Sequence, residues 1–389
     1  MTPADTTRLD AARRAIAELA ARVGRRVQLM EVCGTHTVSI FRSGLRSLLP
    51  VNVRLVSGPG CPVCVTAQRH IDAAIELAGE ANVILATYGD MLRVPGRLGS
   101  LEQRRAAGAS VQVVSSARGA LQLARQRPDR TVVFLGVGFE TTAPATAATV
   151  LEAERDGIEN FVVLVSHKLV VPAMRALLEA GDVPLDGFLC PGHVSVIIGA
   201  RAYSSVVADF QRPCVVAGFE PQQIMTGIEH LLRQIAGGRA ALENVYSAVV
   251  SESGNPVAQE LLRRVFIAAD TPWRELGVIP RSGLEFAPAY RRFDAALRFG
   301  LTPGADHDHP DCRCGLVIQG KLDPPQCPLF GGECTPLRPV GPCMVSSEGT
   351  CAAWYRYARV VGNEREAALG PPGRRATAAP AATLTEGRT

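Results

Sequence analysis

Aromatic side chains are scarce in this 389-residue chain, at 5% of all residues, with only two tryptophans. Charge of one sign is scarce too: 41 Lys and Arg against 37 Asp and Glu leave a net +4. The basic residues are scattered and do not alternate with aromatics, so the usual footprint of a nucleic-acid binder is missing. No apolar run reaches the ~18 residues of a membrane span. The opening segment "MTPADTTRLDAARRAIAELAARVG" reads as a capped amphipathic helix without the apolar stretch of a secretory signal, which predicts a cytoplasmic protein. A second C-x-x-C is absent, which argues against a zinc ribbon, and the Trp-Cys-Gly-Pro-Cys of thioredoxin-like proteins is absent as well.

What is there is an ordinary globular composition, 47% apolar and 20% charged, with eleven cysteines. In a reducing compartment so many thiols point to metal or redox chemistry rather than structural disulfides. Short β-branched runs recur at 27–32 ("VQLMEV"), 53–58 ("VRLVSG"), 83–89 ("VILATYG") and 111–116 ("VQVVSS"), separated by helix-like segments such as 65–80. A second series follows at 131–140, 161–167, 186–193 and 214–220. Strands alternating with helices predict parallel sheets covered on both faces. The expected fold class is α/β: two small doubly wound domains at 27–120 and 121–252 behind an N-terminal helix at 1–26. A helical and Cys-rich iron–sulfur domain at 253–365 and a low-complexity, disordered tail at 366–389 complete the expected division.

In open parallel sheets ligands bind beyond the carboxyl ends of the strands. Polar residues follow the apolar runs there. "EVCGTHT" supplies Cys33 and His36, "SGPGCPVCVT" supplies Cys61 and Cys64, and "TYGDMLRVPG" supplies Asp90. These are expected on one edge of one sheet. The same edge of the second sheet is expected to carry Glu140, His167, His193 and Glu220, with a cleft between the two edges. Cys61 and Cys64 open a helix, where unpaired N–H groups favour thiolate. The pair reads as a redox or metal site, or as a buried structural pair. His36 reads as a surface residue or as a companion of Cys33, and His193 as a turn-stabilising or a catalytic residue. Asp90 has the alternative of capping the next helix, and Glu140 and Glu220 of marking helix starts. Cys190 and Cys214 lie inside apolar runs and read as structural. The "ADHDHPD" segment reads as a solvated acidic loop.

Cys312, Cys314, Cys327, Cys334, Cys343 and Cys351 fall in one Pro- and Gly-rich segment that cannot pack an apolar core unaided. Four thiolates suit zinc or an iron–sulfur cluster. The nearby dithiol favours iron–sulfur, because zinc cannot pass electrons. Turns bracket Cys327, Cys334, Cys343 and Cys351, which are the expected ligands of a [4Fe-4S] cluster. Cys312 and Cys314 are then spare, with the alternative of replacing two of the four.

"MEVCGTHT", "SGPGCPVCVT", "TYGDMLRVPG", "GVGFETTAP", "CPGHVSVIIG", "AGFEP" and "CPLFGGECTPLRPVGPCMVSSEGTCAA" together resemble the HypD family of hydrogenase maturation factors, in order, from about residue 27 to 360. The resemblance implies two α/β domains and a [4Fe-4S] domain. It implies assembly of the Fe(CN)2(CO) unit of [NiFe]-hydrogenases on a scaffold shared with a small HypC-type chaperone, with cyanide arriving from a HypE-type donor and its HypF partner. The family's essential motif cysteines match Cys33, Cys61 and Cys64. Cys33 is then the expected primary iron ligand, and Cys61–Cys64 the dithiol that feeds electrons to the reaction and borders the mononuclear iron. His36, Asp90 and His193 are the expected proton-handling or orienting residues, and Glu348 is expected to shape the electron route beside the cluster. The competing readings are an iron–sulfur dependent protein disulfide reductase and a purely structural zinc protein.

Overall fold

The computed structural model describes residues 3–301 and 304–358. The expected tail at 366–389 lies outside the described residues. The N-terminal segment forms one long helix, Pro3–Val23. Nine parallel strands follow: β1 Val27–Glu31, β2 Val53–Ser57, β3 Val83–Thr87, β4 Val111–Val113, β5 Thr131–Gly138, β6 Phe161–His167, β7 Gly187–Pro191, β8 Cys214–Ala217 and β9 Leu242–Asn244. Most are buried along their whole length, as strands covered on both faces must be.

These strands form two sheets, ordered β2-β1-β7-β8-β9 and β4-β3-β5-β6. The division expected at residue 120 is therefore corrected: β1 and β2 pair with later strands, and β3 and β4 join β5 and β6. Leu29 stands beside Gly187 across the β1–β7 junction, and Val83 beside Thr131 across β3–β5. The chain builds two strands of the first sheet, crosses to build the second, and returns. Parallel partners need long crossovers, so neighbours in sequence need not share a sheet.

Both sheets change direction of growth once, between β1 and β7 in the first and between β3 and β5 in the second. Beyond the carboxyl ends of such a junction lies the usual ligand crevice of an open α/β sheet. In the first sheet Cys33 follows β1 and His193 follows β7. In the second, Asp90 follows β3 and Glu140 follows β5.

The helix expected over 65–80 is two helices, Pro62–Val65 and Gln68–Leu77. Thr66 adopts extended backbone between them and forms an antiparallel bridge with Trp273. Trp273 ends a hairpin, β10 Phe266–Trp273 with β11 Gly277–Phe286, inside a region expected to be helical. Its partner strand ends the helix Pro256–Val265 at once, because Phe266 already pairs with Phe286. The Cys-rich segment folds as short helices, Cys314–Ile318, Pro342–Val345 and Thr350–Tyr357, joined by turns. Its cysteines share one apolar cluster with Cys61 and Cys64. Among the described residues no helix is long and apolar enough to cross a membrane.

Candidate redox and metal site

Cys33 precedes the helix Gly34–Arg42 in extended backbone. The loop that carries Cys61 lies directly against it: the Gly34 amide donates to the Gly60 carbonyl at 3.4 Å, and the Gly58 amide to the Glu31 carbonyl at 2.7 Å. A Cβ at Gly60 would stand 2.3 Å from the Cys33 nitrogen, so only glycine permits this approach. Below Cys33, the buried Glu31 carboxyl accepts from the Cys33 amide at 3.3 Å and from the Thr37 hydroxyl at 2.5 Å. Burial pushes Glu31 up to about 8 despite these bonds and one from Ser57. Burial likewise pushes the Cys33 thiol up to about 12, with the Glu348 charge adding to it. Cys33 is thus a neutral thiol that a soft metal would have to deprotonate on binding.

His36 is fully buried, which excludes the surface reading. Its Nε2 meets the Gly218 carbonyl at 2.9 Å. A carbonyl only accepts, so Nε2 carries the proton and Nδ1 keeps a lone pair that finds no partner among the described residues. Burial lowers His36 to about 4 and keeps it neutral. Phe219, after β8, stacks on His193 at 3.9 Å and tilts over His36 at 4.7 Å. His193 is held down by burial and raised by Glu348. Glu348, expected beside the cluster, accepts from Thr35 Oγ1 at 2.7 Å and packs on Gly34, while the next residue, Gly349, lies against the Cys343 carbonyl. Cys33, His36, His193 and Glu348 thus come together at the β1–β7 junction, where an open α/β sheet has its ligand crevice.

Asp90 does not share their sheet, which corrects the one-edge expectation. It sits in the turn Gly89–Arg93 and accepts from the Ser347 amide at 2.9 Å and the Ser347 hydroxyl at 3.1 Å. It thereby ties the second sheet to the loop that holds Glu348. Glu140 and Glu220 are helix-start carboxylates: Glu140 Oε1 accepts from Val170, first residue of the helix Val170–Ala180, and Glu220 caps Pro221–Ala236. His167 is buried with Nε2 on Thr146, away from the crevice. Cys190 and Cys214 are buried core thiols, as expected.

Cys61 and Cys64 form a disulfide with Cα atoms 5.3 Å apart. The Cys64 amide also donates to Cys61 Sγ at 3.2 Å. The short helix Pro62–Val65 packs on β5 and on the helices Cys314–Ile318 and Pro342–Val345. The pair therefore stands between the Cys33 loop and the Cys-rich segment.

All six C-terminal cysteines line one cavity with apolar walls that include Val317, Leu329, Phe330 and Met344. Cys314 and Cys351 both hydrogen-bond to Cys343, and with amides at the start of Thr350–Tyr357 they hold Cys343 well below the usual thiol range. Val340 donates to Cys334 Sγ at 3.4 Å. A Cβ at Gly341 would fall 2.6 Å from Cys312 Sγ. As placed, no group of three His, Cys, Asp or Glu side chains among the described residues is set to hold a metal ion. The thiols line a space rather than meet at a point. An all-sulfur donor set around an apolar cavity fits an iron–sulfur cluster and does not fit a hard oxygen-seeking cation.

A family model described as HypD, hydrogenase formation hypA family, matches residues 8–358. The chain belongs to the HypD family. It is 48% identical to the hydrogenase maturation factor HypD of Escherichia coli K12 over 86% of this chain and 90% of that one. It is 46% identical to the HypD of Azotobacter vinelandii, over 88% and 94% of the two chains, and 46% identical to that of Rhodobacter capsulatus, over 88% and 93%. The matched span contains every candidate residue above.

Sequence reasoning missed Glu31, Thr35 and Phe219, and read Gly60 as a turn glycine without its contact on Cys33. A lone carboxylate inside the apolar run "VQLMEV" was the available signal for Glu31. Phe219 had none, because its two histidine neighbours come from distant segments.

Proposed function

We propose that this chain is a [NiFe]-hydrogenase maturation factor, a redox-active scaffold that receives iron as substrate and on which the Fe(CN)2(CO) unit is assembled. The observation that carries this reading is the contact between the Cys33 loop and the Cys61 loop through Gly60, with the Cys-rich cavity behind the disulfide. Cys33 is the primary ligand, shared with a cysteine of a HypC-type partner, and Cys61 and Cys64 border the iron. Low-spin iron bearing cyanide and CO favours soft thiolates. Cyanide comes from a HypE-type donor served by HypF.

Cys327, Cys334, Cys343 and Cys351 would hold a [4Fe-4S] cluster, which when bound supplies single electrons to the nearby disulfide. Reduction of Cys61–Cys64 takes two electrons and two protons and leaves two thiols. His36 presents a neutral imidazole to the crevice, His193 and Glu348 orient ligands at its rim, and Asp90 fixes the loop that carries Glu348.

A protein disulfide reductase would use the disulfide and the cavity but would have no need of Cys33 beside them. Anaerobic co-purification with a HypC-type chaperone, followed by infrared spectroscopy, tests the scaffold reading. Cyanide and CO stretching bands are expected, and Cys33→Ala removes them while the cluster's visible absorbance stays. Bands of wild-type strength in Cys33→Ala would exclude Cys33 as a ligand.

A further inference from the structure

The β10–β11 hairpin tip holds a buried guanidinium that the proposed chemistry does not use. Arg274 is 3% exposed. Its amide donates to the Val65 carbonyl at 3.0 Å, and its Nε to the Thr66 carbonyl at 3.1 Å. Its Nη1 donates to Gln68 Oε1 at 2.8 Å and pairs with Asp308. Nη2 has no partner. The residues gripped begin directly after Cys64. On the other side, Arg274 borders a second cavity, of about 240 Å³, which shares Cys312, Cys314 and Gly341 with the six-cysteine cavity and is otherwise walled in part by Glu275, His307 and Asp308. The next residue, Glu275, sits in left-handed backbone at φ 54° and accepts from the amide of Gly315, directly after Cys314.

One hairpin tip thus holds the segment behind the disulfide and the segment behind a cavity cysteine. Asp308 pairs with one side of the guanidinium and Glu275 and Asp306 stand near it, while Nη2 is left to face further negative charge. A thiolate-held cluster supplies such charge, and carries one more negative charge after reduction.

We propose that Arg274 is a positioning residue of the redox path: it fixes the Cys61–Cys64 helix against the cysteine cavity and places a permanent positive charge beside the Cys312–Cys314 wall, favouring the electron-loaded state of the cluster that the other four cysteines would hold beyond that wall. This inference rests on the proposed cluster.

The test compares full-length wild type with Arg274→Gln and Arg274→Lys, prepared anaerobically. Iron and sulfide are counted, the cluster midpoint is read by potentiometric titration, and the Cys61–Cys64 state is read by thiol labelling at each potential. Arg274→Gln is expected to make cluster reduction about tenfold less favourable, about 59 mV lower for one electron, with Arg274→Lys between it and wild type. Asp308→Asn leaves the guanidinium and removes its counter-charge; its midpoint is expected to rise, and it serves if Arg274→Gln does not fold. An unchanged midpoint in Arg274→Gln with full iron and sulfide overturns the inference while the relay stands. With Asp308→Asn as the only soluble variant, an unchanged midpoint also overturns it. A wild-type pair that never links while the cluster titrates overturns the relay but leaves the midpoint comparison decisive for Arg274. Wild-type protein that takes up no iron and sulfide overturns both.

Discussion

Gly60 and Cys33 touch: a Cβ added to Gly60 would lie 2.3 Å from the Cys33 nitrogen and 2.3 Å from the Val32 carbonyl carbon. This contact, more than the spacing of the cysteines, places the disulfide loop on the ligand crevice. The two loops come from neighbouring strands, β1 and β2, which pair in register from Val27 beside Val53 to Glu31 beside Ser57. Both chains therefore leave the sheet at the same level, and their first residues beyond it must share one space.

Gly60→Ala is expected to force these loops apart, since the atoms it meets are backbone and cannot swing away. Overpacking of this kind costs about 1–3 kcal/mol. The expected result is a lower urea unfolding midpoint, with loss of iron–cyanide assembly at a cluster content equal to wild type. An unfolding midpoint and assembly rate equal to wild type would show that the contact is slack.

Anaerobically prepared protein is expected to carry about four iron and four sulfide per chain, the content of one cubane cluster. Cys327→Ser, Cys334→Ser, Cys343→Ser and Cys351→Ser should each abolish it. Cys343 is the sharpest case, because Cys314 and Cys351 both hydrogen-bond to it. Cys312→Ser and Cys314→Ser should retain it. Loss of iron and sulfide in Cys314→Ser, with retention in Cys327→Ser or Cys334→Ser, would reassign the ligand set within the same cavity.

The strands were legible in the sequence because parallel strands buried on both faces must be short and β-branched. Their sheet membership was not. β1 finds β7 through a crossover that encloses the whole second sheet, and no local pattern encodes that return. The hairpin was hidden for a different reason. Its first strand mixes exposed and buried positions and contains Pro272, so it lacks clean alternation. Cys33, Cys61 and Cys64 stood out as rare residue types at strand ends. Arg274 did not, because nothing in "PWRELG" separates a buried guanidinium from a surface one.

Acid should unfold this chain partly through its buried histidines. His167 is lowered to about 3, by burial first and the Lys168 charge second, and His70 is lowered to about 3 for the same reasons. Both bind fewer protons folded than unfolded. Their contribution is therefore fully present above pH 6.5 and is lost as pH falls toward about 3. His167→Asn removes one of these groups. It is expected to flatten the dependence of the unfolding midpoint on pH across that window, whatever it does to stability at neutral pH. A slope equal to wild type would mean that His167 takes up its proton alike in the folded and unfolded states.

The Cys61–Cys64 pair should open and close reversibly without disturbing the fold around it. The Cα separation of 5.3 Å already suits the bond, and Pro62 with the four-residue helix fixes the turn between the two thiols. Both cysteines are buried, and Cys61 is the more exposed residue at 4%. Attack by an external thiol should therefore be slow and should fall on Cys61 first. Internal delivery of two electrons and two protons should be fast by comparison. Thiol labelling across a series of buffered potentials, read by peptide mapping, measures the equilibrium. Repeating it in cluster-free Cys343→Ser protein measures the kinetic route. The expected outcome is one two-electron transition in both proteins, reached much more slowly without the cluster. A pair that stays unlinked at every potential in cluster-bearing protein would make it a structural or metal-binding feature. A Cys61→Ser, Cys64→Ser variant that assembles the iron–cyanide unit at the wild-type rate would send the electrons by another path.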